Sequence, residues 1–292
     1  MKHLKKLLSA IEQRITNDIY NYAIPTVWNC VNYQGEEQLE TPRGETIVNP
    51  HKFYAHVIKE TILPKAQEQT DYTQPLSRSR GVDQEKIRRM THYRGGDWIK
   101  RATVYSSLIR TSTAWDHDRT GQLESNNIYQ LNDMGTFVKS IALLPMLQKM
   151  GVNTIYMLPI SKFSLKDKKG ELGSPYGVSN FFELDPHLKD PICGNDLTLE
   201  EEFKAFVEAV HILGMRVMID IIPRSNSVNS DLIADHPEWF YWVKYKDLET
   251  YQPPHVPGLG QTVVPNPEFL HYIYNSEDVR YHIRKFVQNP QQ

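Results

Sequence analysis

Apolar positions along this chain recur with two different periods, and the stretches carrying them alternate. "NPHKFYAHVIKETILPKAQ" (49–67) has Phe53, Val57, Ile58 and Ile62 at helical spacing. "ATVYSSLIR" (102–110) reads as a strand, with bounds near 103–109. "GTFVKSIALLPMLQKMG" (135–151) predicts a helix with Phe137, Ile141, Leu144 and Leu147 on one face and a break or kink at Pro145. "NTIYMLPI" (153–160) is a second strand. "TLEEEFKAFVEAVHILG" (198–214) has the strongest helix signals: Thr198 and Glu201 form a capping box, Phe203, Phe206, Val207 and Val210 make the apolar stripe, and Gly214 supplies the stop. "RVMIDII" (216–222) is a third strand, and "SEDVRYHIRKFV" (276–287) a last helix, with Ser276 as N-cap and Val279, Ile283 and Phe286 facing inward.

Strands alternating with helices imply parallel pairing through right-handed crossovers. Near-continuous apolar strands suit a sheet buried on both faces. The fold class is therefore α/β, as a doubly wound sheet or a (β/α)8 barrel. The long insertions follow strands, at 110–135, 161–197 and 223–275, and so crowd the C-terminal edge of the sheet, where both architectures place their sites. Neither GxGxxG nor GxxxxGK[ST] occurs, which disfavours nucleotide binding. Residues 1–95 read as a mainly helical accessory region, joined through the polar stretch 69–89 to the repeating part at 96–292.

The bulk composition narrows the partners. The formal net charge of -2 over 292 residues gives no reason to expect nucleic acid or an anionic membrane surface. Cys30 and Cys193 form no CxxC pair and no disulfide framework, which suits a reducing compartment. The basic N-terminus has too short an apolar stretch for a signal peptide, and no segment is long enough to span a bilayer. The expectation is a cytoplasmic protein. The 16 Tyr, 10 Phe and 5 Trp suit a sugar or aromatic ligand, although large cores use them equally.

Three stretches in order carry a family resemblance: "NTIYMLPI", then "GSPYGVSNFFELDP" (173–186), then the capped helix and "GMRVMIDIIPRS" (214–225), with "HPEWF" (236–240) soon after. Over roughly 102–287 this resembles the start of the catalytic barrel of the α-amylase superfamily, the retaining α-glucan hydrolases and transglycosylases. The resemblance implies a (β/α)8 TIM-barrel fold, expected here as a barrel truncated after about three βα units. It implies that Tyr176 stacks on the sugar at the cleavage point. It also implies that Asp220 ends the third strand and supports the active site by pairing with an Arg on strand four. A structural Asp capping a loop is the plainer reading of Asp220. Arg224 and Ser225 stand where the family has Asn and His, and Asn180 and Phe181 where it often has Asp and Tyr. Arg224 cannot ligate a cation; it suits a phosphate or carboxylate on a substrate, or a nearby acid.

"WDHDRTGQLE" (115–124) spaces the oxygens of Asp116, Asp118, Thr120 and Glu124 around Gly121 and resembles a calcium loop found at this place in some relatives; an Asx-rich turn is the alternative. No cofactor is required, and Ca2+ is the ion these oxygens suit. Trp239, Tyr241 and Trp242 suit either a sugar platform or, preferably, the packing of a loop.

Retaining glycosidases need a nucleophile and an acid/base about 5 Å apart. The family's Gly-x-Arg-x-Asp motif is absent, so no catalytic residue is expected in this chain and both carboxylates are expected beyond Gln292. The resemblance therefore implies the N-terminal portion of a retaining α-glycosidase, α-glucan hydrolase or glucanotransferase, inactive alone, whose partner is an α-glucan or maltooligosaccharide. Association through an open barrel edge is a further expectation. A non-catalytic glucan-binding or scaffolding relative is the alternative.

Overall fold

The computed structural model describes residues 1–18, 20–34, 44–68, 97–166, 168, 170–251, 277, 281 and 284–287. They fall in two compact units, Met1–Ser225 and Asn226–Gln292. The polar linker expected at 69–89 lies outside the described residues.

The first unit begins with α1 (Lys2–Glu12), which buries Leu4, Leu7, Leu8 and Ile11. A hairpin-like pair follows, β1 (Tyr22–Pro25) and β2 (Glu45–Val48), antiparallel with Tyr22 opposite Val48. Asn49 then caps α2 (Pro50–His56) by accepting from the Lys52 N–H, and Pro50 occupies a first-turn position whose missing N–H costs nothing. The helix continues through a wider π turn, Val57–Ile62, into α3 (Leu63–Glu68). Phe53, Val57, Ile58 and Ile62, the residues picked out by their spacing, are all buried.

The repeating part supplies β3 (Val104–Ser107), a short α4 (Ile109–Ser112), α5 (Phe137–Lys149), β4 (Thr154–Met157), the antiparallel pair β5 (Ser161–Phe163) and β6 (Val178–Leu184), α6 (Leu199–Ile212) and β7 (Arg216–Ile219). Strands β3, β4 and β7 form one parallel sheet in that order, with Val104 beside Thr154 and Thr154 beside Arg216. The parallel pairing expected from the alternation is thus present. The capping box of Thr198 and Glu201 forms as expected, each side chain bonded to the other's backbone N–H.

Four expectations differ from the structure. The first strand is shorter, because residues from Ile109 turn into α4. Of the break or kink read at Pro145 the break is absent: helix α5 runs on through it, since almost every residue from Phe137 to Leu147 is buried and packing outweighs one lost hydrogen bond. The third strand is half-buried rather than buried on both faces. Among the described residues β7 pairs only with β4, and Ile219, Ile221 and Ile222 are 40, 59 and 39% exposed. Finally, the helix expected at 276–287 does not reach its stated end: Phe286–Val287 form a strand, β9, and 278–280 and 282–283 lie outside the described residues.

One apolar cluster joins these pieces, running from Leu4 and Ile11 through Phe53 and Ile58 to Phe137, Leu144, Phe206 and Val210. Glu208 on α6 accepts the N–H groups of His3 and Leu4 at 3.3 and 2.8 Å and pairs with the Met1 ammonium at 3.1 Å. That satisfies donors which the first turn of α1 leaves free. The second unit contains α7 (Leu232–Asp235), a 3-10 turn at Pro237–Trp239, and β8 (Trp242–Val243) paired antiparallel with β9. No helix among the described residues is long and apolar enough to cross a membrane.

Candidate functional site

Because β3, β4 and β7 are parallel, the segments leaving them emerge on one edge. Asp220 follows β7 directly. Its N–H donates to the Met157 carbonyl at 2.8 Å, extending the ladder by one residue and fixing the carboxylate at the strand end. The side chain is half-buried, not enclosed within the sheet. Its partners are phenols. The Tyr176 hydroxyl donates to Asp220 Oδ2 at 2.7 Å. The hydrogen bond to the Asp220 carboxylate, with some burial, pushes the Tyr176 hydroxyl up to about 12. A hydrogen bond of its own to Asp220, with some burial, raises Tyr156, on β4, above its ordinary value, so two phenols converge on one carboxylate.

Tyr176 is held there by the loop between β5 and β6. The Ser164 N–H donates to the Gly177 carbonyl at 2.8 Å, and the Tyr176 N–H reaches Ser174 Oγ at 3.3 Å. Gly173 has φ +68°, and a methyl group there would lie 2.6 Å from the Phe163 ring, so only glycine fits. Arg110, 6% exposed, locks the loop from below. Its Nη1 donates to the Leu172 carbonyl at 2.6 Å, its Nε lies 3.5 Å from Asp185 Oδ2, and its guanidinium sits 4.3 Å from the Phe163 ring centre. Asp185 also accepts from the His187 N–H at 3.0 Å, and the Asp185 N–H returns to the Ile160 carbonyl at 2.8 Å.

Arg224 and Ser225 are exposed, and among the described residues Arg224 has no ion pair. The structure therefore brings Tyr176 and Asp220 together and gives Arg224 no acidic partner there.

The acidic loop is built separately. Asp116 Oδ1 and Oδ2 accept the N–H groups of Thr120 and Gly121 at 3.0 and 2.8 Å, and Asp118 Oδ2 accepts that of Ile128 at 3.2 Å. Asp133 accepts from the His117 N–H, the Asn127 amide and the Glu124 N–H at 3.3, 2.8 and 3.1 Å. The carboxylates of Asp116, Asp118 and Asp133 each offer an oxygen within 4.8 Å of the others, whereas the Glu124 carboxylate is not part of that group. Burial works to raise Asp118, but the backbone bonds from Ile128 and Thr120 outweigh it and hold the group below its ordinary value. Burial raises Asp133. Thr120 is exposed and enters this arrangement through its backbone N–H. His117 fastens the loop to β1: its carbonyl accepts the Ala23 N–H at 2.8 Å, and its Nδ1 lies 2.7 Å from the Ala23 carbonyl.

Three residues here escape a motif search. Tyr156 is one ring in an apolar strand, and only its alignment with Met218 on β7 puts it beside Asp220. Arg110 looks like the polar end of a strand. Asp133 lies 9 residues beyond Glu124, although the "LND" before the α5 cap marks it as a turn acid.

No family model matches the chain. Among curated proteins, it is 30% identical over 114 residues to alpha-1,4-glucan:maltose-1-phosphate maltosyltransferase of Salinibacter ruber, a match covering 34% of this chain and 16% of that protein. It is 24% identical over 174 residues to alpha-amylase MalA of Haloarcula japonica, covering 54% of this chain and 24% of the relative. Among solved structures, an alpha-amylase from Lactobacillus plantarum is similar at 29% identity and a TM-score of 0.38, over 50% of this chain and 28% of that one. The matches thus span less than a third of the length of these relatives.

Proposed function

We propose that this chain, which is related to the α-amylase superfamily over part of its length, builds the side of an α-glucan cleft that the first three strands of a (β/α)8 barrel provide. The observation that carries this reading is the 2.7 Å hydrogen bond from Tyr176 to Asp220 at the C-terminal edge of the parallel sheet. An aromatic face suits the C–H face of a pyranose. Asp220 fixes the ring by accepting from its hydroxyl, with Tyr156 as its second phenol. Its role is therefore to position Tyr176, and it carries no bond cleavage.

Chemistry at the glycosidic bond needs a nucleophile and an acid/base on opposite sides of it. These residues contain no Gly-x-Arg-x-Asp sequence, and Asp220 lies four residues after Arg216, outside that spacing. The reading is that a protein containing this chain is an α-glucan hydrolase or glucanotransferase and that these residues contribute sugar binding. Asp116, Asp118 and Asp133 would hold a hard divalent cation, which suits calcium because every donor is oxygen. Its charge would offset the repulsion of three close carboxylates, and the loop would be stiffened against β1.

A second reading has one observation in its favour. Arg224 and Ser225 are exposed side chains at the mouth, in place of the Asn and His expected there, which suits a glucan-binding relative without catalysis.

The experiment incubates the purified 292-residue chain with maltoheptaose, measuring binding by calorimetry and reducing-end release in the same samples, beside Asp220→Ala. Binding without release is expected. Release by the wild type that the Asp220 variant lacks would overturn the positioning role. No binding at all would overturn the cleft.

A further inference from the structure

The second unit carries an aromatic arrangement that the Tyr176 cleft does not use. His236 and Trp239 stack with ring centres 3.9 Å apart and planes 5° apart. His236 Nδ1 lies 3.2 Å from Glu238 Oε1, so the imidazole is itself held. The turn beneath them is stiff. Pro237 opens it, the Trp239 N–H donates to the His236 carbonyl at 3.0 Å, and the Trp242 indole N–H donates to the Pro237 carbonyl at 2.8 Å. Trp239 nevertheless remains 63% exposed. With one indole face covered by the imidazole, the exposed area belongs to the other face and the edge. Tyr241 and Tyr245, in the same unit, are 81 and 91% exposed.

A large aromatic ring that packing leaves in water while a stacked imidazole holds one of its faces is suited to a flat apolar ligand with polar edges. A glucopyranose is such a ligand. Its axial C–H groups carry partial positive charge and favour the negative face of an indole. Because the ring is already oriented, little side-chain entropy is lost on binding. We infer that the Glu238–His236–Trp239 arrangement is a second α-glucan-binding platform, separate in the chain from the Tyr176 cleft, stacking one pyranose on the open face of Trp239. The choice of an α-glucan rests on the proposed function; the platform geometry does not.

The test measures retardation of the 292-residue chain in gels containing amylose, for the wild type, Trp239→Ala, Trp239→Phe, His236→Ala and Tyr176→Ala. The cleft is read independently, from protection of Tyr176 against iodination by maltotriose. Trp239→Ala is expected to weaken amylose affinity about tenfold, the effect of losing one good aromatic contact. Trp239→Phe should recover part of it. His236→Ala should fall between, with the indole present but no longer held. Far-UV circular dichroism identifies a variant that has lost its fold, and in that case Trp239→Phe and His236→Ala decide. Unchanged retardation of folded Trp239→Ala overturns the platform, even if maltotriose shields Tyr176 and the cleft stands. Loss in Trp239→Ala without maltotriose protection of Tyr176 keeps the platform and sinks the cleft. A wild type that amylose does not retard overturns the platform. So does a Trp239→Ala change in sedimentation with no change in retardation, because the ring would then be a contact between copies.

Discussion

Removing the Arg110 guanidinium tests whether the Tyr176 loop is held from beneath. In Arg110→Met the stem is kept and the charge is lost. The structure gives three consequences. Asp185, 4% exposed, keeps the His187 backbone N–H and the His187 Nδ1 2.8 Å away but loses the guanidinium 3.5 Å away. The Leu172 carbonyl loses a 2.6 Å donor. The Phe163 ring loses the cation 4.3 Å from its centre. Breaking one side of a buried ion pair costs about 3–5 kcal/mol, and the His187 ring that stays bonded to Asp185 puts the loss at the lower end of that range. A desolvated cation–π contact adds at most about 2 kcal/mol, and Met packing returns part of that. For a unit the size of Met1–Ser225, each kcal/mol lowers Tm by about 2–4 °C, so a fall of roughly 10 °C is expected. The assay is thermal and urea unfolding of wild type, Arg110→Met, Asp185→Asn and the double variant. The double variant should be more stable than Arg110→Met, because neutralising Asp185 removes the buried carboxylate that has lost its guanidinium. A loss below about 1 kcal/mol in Arg110→Met, or a double variant no better than the single, would refute the reasoning.

Further outcomes follow from other residues. Gly135→Ala places a methyl carbon 1.9 Å from the Ile109 carbonyl oxygen and should cost about 3 kcal/mol or more in urea unfolding, whereas a near-neutral result would mean that α4 moves freely. Glu202 is raised to about 7 from 4.5 by burial and by the neighbouring Asp190, effects that exceed the opposing pull of Lys189. A carboxyl whose folded value is raised stabilises fully below its unfolded value and loses that contribution as pH rises through its folded value. Relative to Glu202→Gln, the wild type should therefore lose up to about 3 kcal/mol between roughly pH 4.5 and 7, and a flat difference between the two unfolding curves would contradict this. Millimolar CaCl2 should raise Tm in the wild type and not in Asp133→Asn, by about 2.7 kcal/mol of stabilisation at a hundredfold excess over Kd; identical responses would remove Asp133 from the site.

How far the sequence reveals the fold depends on whether the cause is local. The Thr198–Glu201 capping box and the buried stripe of 53, 57, 58 and 62 follow from neighbours within one or two turns, and they form as read. The parallel order of β3, β4 and β7 was legible from the alternation of elements. Pro145 does not break its helix, because the rule for a solvated helix is overridden where nearly every neighbouring side chain is buried. The third strand misled because apolar composition does not say how many neighbours a strand has. The aromatic cluster after it was read as loop packing, yet Trp239 and Tyr241 are exposed while Trp242 is half-buried. In the candidate site, Tyr176 and Asp220 were identified from the resemblance. The bond between them, the second phenol of Tyr156 and the Arg110 lock beneath depend on contacts between residues 44 to 75 positions apart in the chain, which no spacing rule encodes.

The most direct test of the sugar-binding role is the affinity of the 292-residue chain for maltoheptaose by calorimetry, with Tyr176→Phe and Tyr176→Ala alongside. The account predicts that Tyr176→Ala weakens binding by about tenfold through the lost stacking face, and that Tyr176→Phe, keeping the ring but not its bond to Asp220, falls between that variant and the wild type. Equal affinity for all three proteins would contradict it.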